Sequence, residues 1–191
     1  EIPAACRTQA MVPQQAVQAQ RREETQHGVD LRLPGLPDEL EYNPGGHAVL
    51  YAEENSRDTL FAAMQRREAY ATSGTRPVVR FFGGWDYSDD LCESANMVSM
   101  GYAGGVPMGG DLLPRGESAS APRFVVSATM DSGTEEYPGN PLQRVQIIKG
   151  WLENGEHQEQ VYDVACSDGL NVDPQTHRCP DNGAQVNLEA C

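Results

Sequence analysis

From His47 onward, apolar and polar positions alternate in patterns that predict a short α/β step followed by a β-rich region. Ala48-Val-Leu-Tyr-Ala52 is apolar on both faces, as expected of a strand buried in a parallel sheet. Asn55 or Ser56 then caps a helix, with Asp58 in the first turn, where an acid suits the helix dipole. Leu60, Phe61 and Met64 recur at helical spacing and mark its predicted buried stripe. Arg66, Arg67 and Glu68 close its last turn, and residues 70–76 read as a loop.

After Pro77 the period becomes two. Val78–Phe82 and Arg123–Thr129 read as strands, the second with Phe124, Val126 and Ala128 on one face. Leu142–Leu152 and Gln158–Cys166 flank Asn154-Gly155, a pair that favours the positive φ angles of a tight hairpin turn. Tyr162, Val164 and Cys166 share a face of the second strand. Several short strands separated by turn signals predict an antiparallel sheet or sandwich. Residues 1–46 read as an extended, partly irregular arm, residues 47–76 as a strand–helix piece and residues 77–191 as a β-rich domain. Within the arm, Pro13 opens a short helix over Gln14–Gln26, marginal because its apolar stripe is only Ala16, Val17 and Ala19.

Composition narrows the classes of function. The 191 residues are 39% hydrophobic and 22% charged, which suits one packed domain or a domain with a fragment of another. No apolar run approaches the roughly 20 residues of a membrane-spanning helix. Twenty-eight acids against 14 bases give a net charge of −14, which repels phosphate backbones and argues against a nucleic-acid partner. The chain opens Glu-Ile-Pro without Met or a secretion signal, so it reads as processed, trimmed or a fragment.

The five cysteines, Cys6, Cys92, Cys166, Cys179 and Cys191, contain no C-x-x-C pair, which weakens zinc-ribbon and thioredoxin readings. In an oxidising compartment Cys166 and Cys179 would close a loop, with a chain-entropy gain of roughly 3 kcal/mol; the alternative is free, partly buried thiols. The histidines, His27, His47, His157 and His177, show no metal-ligand spacing. His47 is singled out because it follows a Gly-Gly turn and leads into a strand, where sites form in α/β folds. Glu54 lies in Glu53-Glu-Asn-Ser-Arg57 at the helix start, placed either as a capping charge or to orient a ligand-binding group. Arg76, just past Gly74, is placed either to hold a phosphate or carboxylate or to bridge to a nearby acid. The acidic loops around Asp86, Asp89 and Asp90, and around Asp168, Asn171 and Asp173, suggest calcium only weakly, because neither has EF-hand spacing. No nucleophile signature is present, and these residues alone do not complete an active site.

The motifs as a set resemble the family of domain of unknown function 3604. The likeness runs over residues 43–76, from Asn43-Pro-Gly-Gly46 through the predicted strand and helix to Ser73-Gly-Thr-Arg76. It continues through Val79-Arg-Phe-Phe-Gly-Gly-Trp-Asp86, Gly105-Val-Pro-Met-Gly-Gly-Asp-Leu112, Gln143-Arg-Val-Gln-Ile-Ile-Lys-Gly-Trp151 and Val161-Tyr-Asp-Val164. It covers roughly residues 30–170. The resemblance implies relatives of the PHP superfamily of metal-dependent phosphoesterases, in which His and Asp at strand ends hold the metal ions.

On that likeness the fold is α+β: the last strand–helix unit of a PHP-like β/α barrel, then an antiparallel β-sandwich-like domain. The chain would be the carboxy-terminal portion of a metal-dependent hydrolase of phosphoester type, periplasmic or secreted. Manganese, zinc or iron is implied for the full-length protein. The superfamily's H-x-H and late Asp-x-His motifs have no counterpart in this sequence, so no residue is assigned as a metal ligand. The implied partners are the upstream part of the same polypeptide or another copy, and an anionic small-molecule substrate. Arg76 is expected on the substrate anion, with His47 and Glu54 near the cleft. The alternative reading is an exported β-rich binding or structural module, with calcium as its ion.

Overall fold

A computed structural model describes residues 46–114 and 121–185, together with the backbone of Val17 and Gln18. These form a mixed, sheet-rich α+β structure with several antiparallel sheets and two α-helices. The described chain falls into two compact units, one holding residues 17–18, 46–77 and 108–110, the other residues 78–107, 111–114 and 121–185.

In the first unit, β1 (Val17–Gln18), β2 (His47–Leu50) and β3 (Ala69–Thr72) form a sheet in the order β1-β2-β3. Both pairings are antiparallel, with Val17 opposite Leu50 and His47 opposite Thr72. The parallel environment expected for Ala48–Ala52 is therefore corrected. The Tyr51 N–H donates to the Glu68 carbonyl (3.0 Å), which sets the end of β2 beside the start of β3 and makes β3 run back along it. The loop expected over residues 70–76 is likewise strand up to Thr72. Val17–Gln18 is strand where a helix over Gln14–Gln26 was expected: a Gln-rich segment with a thin apolar stripe gains more from pairing with β2 than from an isolated helix. The rest of the expected arm lies outside the described residues.

Helix α1 (Arg57–Gln65) joins β2 to β3. Ser56 is its N-cap: the Thr59 amide donates to Ser56 Oγ (3.4 Å), and the two hydroxyls are 2.8 Å apart. The predicted stripe does not form the core. Phe61 and Met64 are more than half exposed, whereas Ala63 is fully buried. The helix buries a small side chain, and the other buried apolar residues described in this unit are Val49, Leu50 and Tyr51.

In the second unit, β4 (Val78–Gly84) lies between β5 (Gly105–Pro107) and β6 (Arg123–Thr129), antiparallel to both. Phe82 and Val125 are opposite each other and pack with Tyr87, Leu91 and Met97 as the core. This core lies on the face of β6 opposite to that of Phe124, Val126 and Ala128, the last two of which are also buried. Phe124 stacks on Phe81, with ring centroids 5.8 Å apart. A 3-10 turn (Leu91–Glu93) and helix α2 (Met97–Gly104) cover the core face.

Helix α2 went unpredicted because Gly101 and Gly104 interrupt its pattern, yet Gly101 is what brings it onto the sheet. A Cβ there would lie 2.8 Å from the Phe82 ring. Tyr87 ties the layers together by donating from its hydroxyl to the Gly101 carbonyl (2.6 Å), and its burial raises the phenol pKa.

The same unit carries a long hairpin of β7 (Arg144–Glu153) and β8 (Glu156–Cys166). Asn154 and Gly155 form its turn with φ of 53° and 83°. One register irregularity falls between Val145 and Gln146. Among the described residues, no helix is long and apolar enough to cross a membrane.

Candidate functional site

The best-defined polar cluster forms around Asp163, which the alternation of β8 places opposite Gln146 of β7. Its side chain is completely buried. Aspartate is uncommon inside strands, and a buried carboxylate is tolerated only when its oxygens are satisfied. Here three hydrogen-bond donors and a further cation meet it. The Cys179 amide and Arg144 Nη1 lie 2.7 and 3.2 Å from Oδ2, and Gln146 Nε2 lies 2.6 Å from Oδ1. Arg178 Nη1 completes the set at 3.7 Å from Oδ1. Burial pushes the Asp163 carboxyl up, but the Cys179 amide, Gln146 and the two guanidinium groups outweigh it and hold the pKa below the usual carboxylate range.

The Cys179 donor reaches Asp163 because the chain folds back after β8. Cys166 and Cys179 are joined by a disulfide with Cα atoms 5.7 Å apart. The Asp163 amide donates to the His177 carbonyl (2.9 Å), and the Tyr162 and His177 rings meet edge to face at 5.2 Å. His177 takes a left-handed φ of 54° inside a turn whose ends bond each other: the Asp173 amide to the Arg178 carbonyl and the His177 amide to the Asp173 carbonyl. Further along, Asn182 Nδ2 donates to Ser167 Oγ (2.9 Å), and Gln143 Nε2 donates to Asn182 Oδ1 (3.0 Å). A covalent bond and a buried carboxylate thus strap the segment 167–182 to β8.

This arrangement neutralises the aspartate and uses its oxygens. Asp163 is a structural anchor, with no spare oxygen set aside for a nucleophile, a base or a metal ion. Asp168, Asp173 and Asp89 of the acidic loops are also engaged. Hydrogen bonds from Ser167 and Asn182 lower the Asp168 pKa, and the Thr176 and Gln175 amides lower that of Asp173. Asp89 pairs with Arg123. Among the described residues, no group of three or more His, Cys, Asp or Glu is placed to hold a metal ion. The described donor set therefore does not fit the metal ions that the resemblance implies.

Of the residues singled out in the sequence, His47, Glu54 and Arg76 lie in the first unit. His47 opens β2 with Nδ1 3.5 Å from Thr72 Oγ1 of β3. Glu54 is exposed before α1, and its carbonyl accepts from Thr59 Oγ1 (2.7 Å). Arg76 is exposed in the turn between β3 and β4. Sequence reasoning missed Asp163. The available signal was an acid at the centre of a strand otherwise carrying Tyr162, Val164 and Cys166, with Arg144 and Gln146 on the strand predicted to pair with it.

Residues 5–191 match the family model described as protein of unknown function (DUF3604). No curated protein and no solved structure matches the chain.

Proposed function

This chain belongs to the DUF3604 family of proteins of unknown function, and on that premise we propose that it is the scaffolding, carboxy-terminal portion of an exported metal-dependent hydrolase of phosphoester type. The observation that carries the scaffolding role is Asp163. The most deeply buried carboxylate of the hairpin spends its oxygens on Arg144, Gln146, Arg178 and the Cys179 amide, not on a reacting centre. Metal ligands would come from residues outside the described ones. Export to the periplasm or the exterior is supported by the Cys166–Cys179 disulfide, since such bonds persist in oxidising compartments. PHP-type chemistry rests on the sequence likeness. In this reading Arg76 meets the substrate anion, and His47 and Glu54 border the same region.

The test is turnover of a panel of phosphomonoesters and phosphodiesters by the 191-residue chain with manganese, zinc or iron added. The reading predicts no metal-stimulated turnover by this chain and turnover by a longer polypeptide that includes the upstream ligands. Metal-stimulated hydrolysis by this chain alone would overturn the scaffolding role. Inactivity of the longer polypeptide would overturn the hydrolase.

One observation favours the second reading, an exported binding or structural module: most side chains along β7 and the first half of β8 are exposed. Its calcium version, placed at Asp168, Asn171 and Asp173, predicts heat and a raised melting temperature on calorimetric titration with calcium. The absence of both would remove it.

A further inference from the structure

Among the described residues, the outer edge of β7 is an open hydrogen-bonding surface. From Gln146 to Glu153, among the described residues, the backbone of β7 bonds only to β8. In a hairpin closed by a two-residue turn, the residues flanking the turn form a hydrogen-bonded pair, here Glu153 and Glu156. Amides then alternate in direction, so those of Leu152, Gly150 and Ile148 point away from β8. The side chains of this stretch are unusually apolar for an exposed edge: Ile148 is 62% exposed and Leu152 76%. Natural edges of this length are normally covered or blunted by charge, and here the single lysine of the chain is the only cation on the stretch.

The order of residues on that edge identifies what covers it. Ile148-Lys149-Gly150-Trp151-Leu152 has the same chemistry read from either end: an apolar residue, one member of a cation–aromatic pair, glycine, the other member, an apolar residue. Lys149 and Trp151 already show this affinity within one chain, with Nζ 4.9 Å from the ring centroid.

We propose that β7 pairs with β7 of a second copy of this chain, antiparallel about a two-fold axis through Gly150, to make a continuous four-stranded sheet. In this register Ile148 stands opposite Leu152 of the second copy, and Leu152 opposite its Ile148. Lys149 faces Trp151 of the second copy and lies diagonal to its Glu153, which gives charge complementarity on the other face. The outward amides and carbonyls of Ile148, Gly150 and Leu152 bond those of the second copy. Neighbouring registers are worse. Centring on Lys149 opposes two ammonium groups, and centring on Trp151 sets Ile148 against the turn residue Asn154. Centring on Ile148 runs into the irregularity at Val145/Gln146. A two-fold, self-complementary contact of this kind closes on itself and does not propagate into a fibre.

The experiment is sedimentation equilibrium of the 191-residue chain over a wide concentration range, with circular dichroism confirming that each variant is folded. The wild-type chain is expected at twice its 20.8 kDa mass at the upper concentrations. Ile148→Glu alone and Leu152→Lys alone each place charges against an apolar residue in two symmetry-related pairs, and each raises the dimer dissociation constant about tenfold or more. The doubly substituted chain regains the dimer, because opposite charges then face each other across the axis. A wild-type chain that stays at 20.8 kDa overturns the proposal, as does a dimer indifferent to the single substitutions or a double variant that stays weak. A monomer that instead adds an unrelated extended peptide along β7 also overturns the second copy as occupant.

Discussion

The β5-β4-β6 sheet and the β7–β8 hairpin are held by different means. The first is covered by α2 and owes its order to Phe82, Tyr87, Leu91, Met97 and Val125, packed as one apolar cluster. The second has little apolar core. Only Asp163 of its two strands is buried, and the segment that follows is held by a disulfide, a carboxylate with three hydrogen-bond donors and an added ion pair, and short turns. An isolated two-stranded ribbon is marginal in water. The contrast shows that covalent and polar closure can stand in for burial where a hairpin keeps its faces in solvent.

The largest expected effect lies on the packed side. Phe82→Ala is expected to cost about 3–5 kcal/mol, read by denaturant unfolding, because a buried aromatic leaves a cavity beneath α2. On the hairpin side, Cys166→Ser with Cys179→Ser is expected to cost roughly 3 kcal/mol and to open residues 167–178 to proteolysis while the β4 core stays folded.

A smaller effect follows from Asp163→Asn. Removing the charge while keeping the shape is expected to cost about 1–3 kcal/mol, because Cys179, Arg144 and Arg178 lose an ionised acceptor. The same site sets a pH dependence. Because the folded-state pKa is lowered, the Asp163 contribution is fully present above the ordinary carboxylate value of 3.8 and is lost as pH falls through the lower folded value. Unfolding followed from pH 7 downward should show this loss in the wild type and a flatter acid limb in the Asn variant. Least of all, Phe61→Ser on the exposed side of α1 is expected to change stability by under about 0.5 kcal/mol.

Local signals carried much of the fold. Asn154-Gly155 declared its hairpin because few other pairs accept two positive φ angles, and Ser56 declared α1 because its hydroxyl meets Thr59. Alternation located β4, β6, β7 and β8, but it did not reveal that both faces of β6 carry buried residues. Phe124, Val126 and Ala128 share one face as the alternation predicts, while Val125 on the other face joins the core because it stands opposite Phe82. Helix α2 was hidden because glycines that weaken a helix in isolation allow close contact with the sheet. Antiparallel pairing of β2 was also hidden: an apolar run reads the same in parallel and antiparallel sheets, and the Tyr51–Glu68 bond that decides between them is non-local. The Asp163 cluster draws on residues from 144 to 179, and nothing local announces that an acid in a strand will find Arg144, Gln146, Arg178 and a Cys179 amide around it.

Hydrogen exchange on the chain carrying Cys166→Ser and Cys179→Ser tests the division most directly, since it leaves Cys92 and the packed sheet untouched. The account predicts that amide protection falls for Asp163, His177 and Cys179 while Phe82 and Val125 keep theirs. Equal loss in both regions, or no change at Asp163, would contradict it.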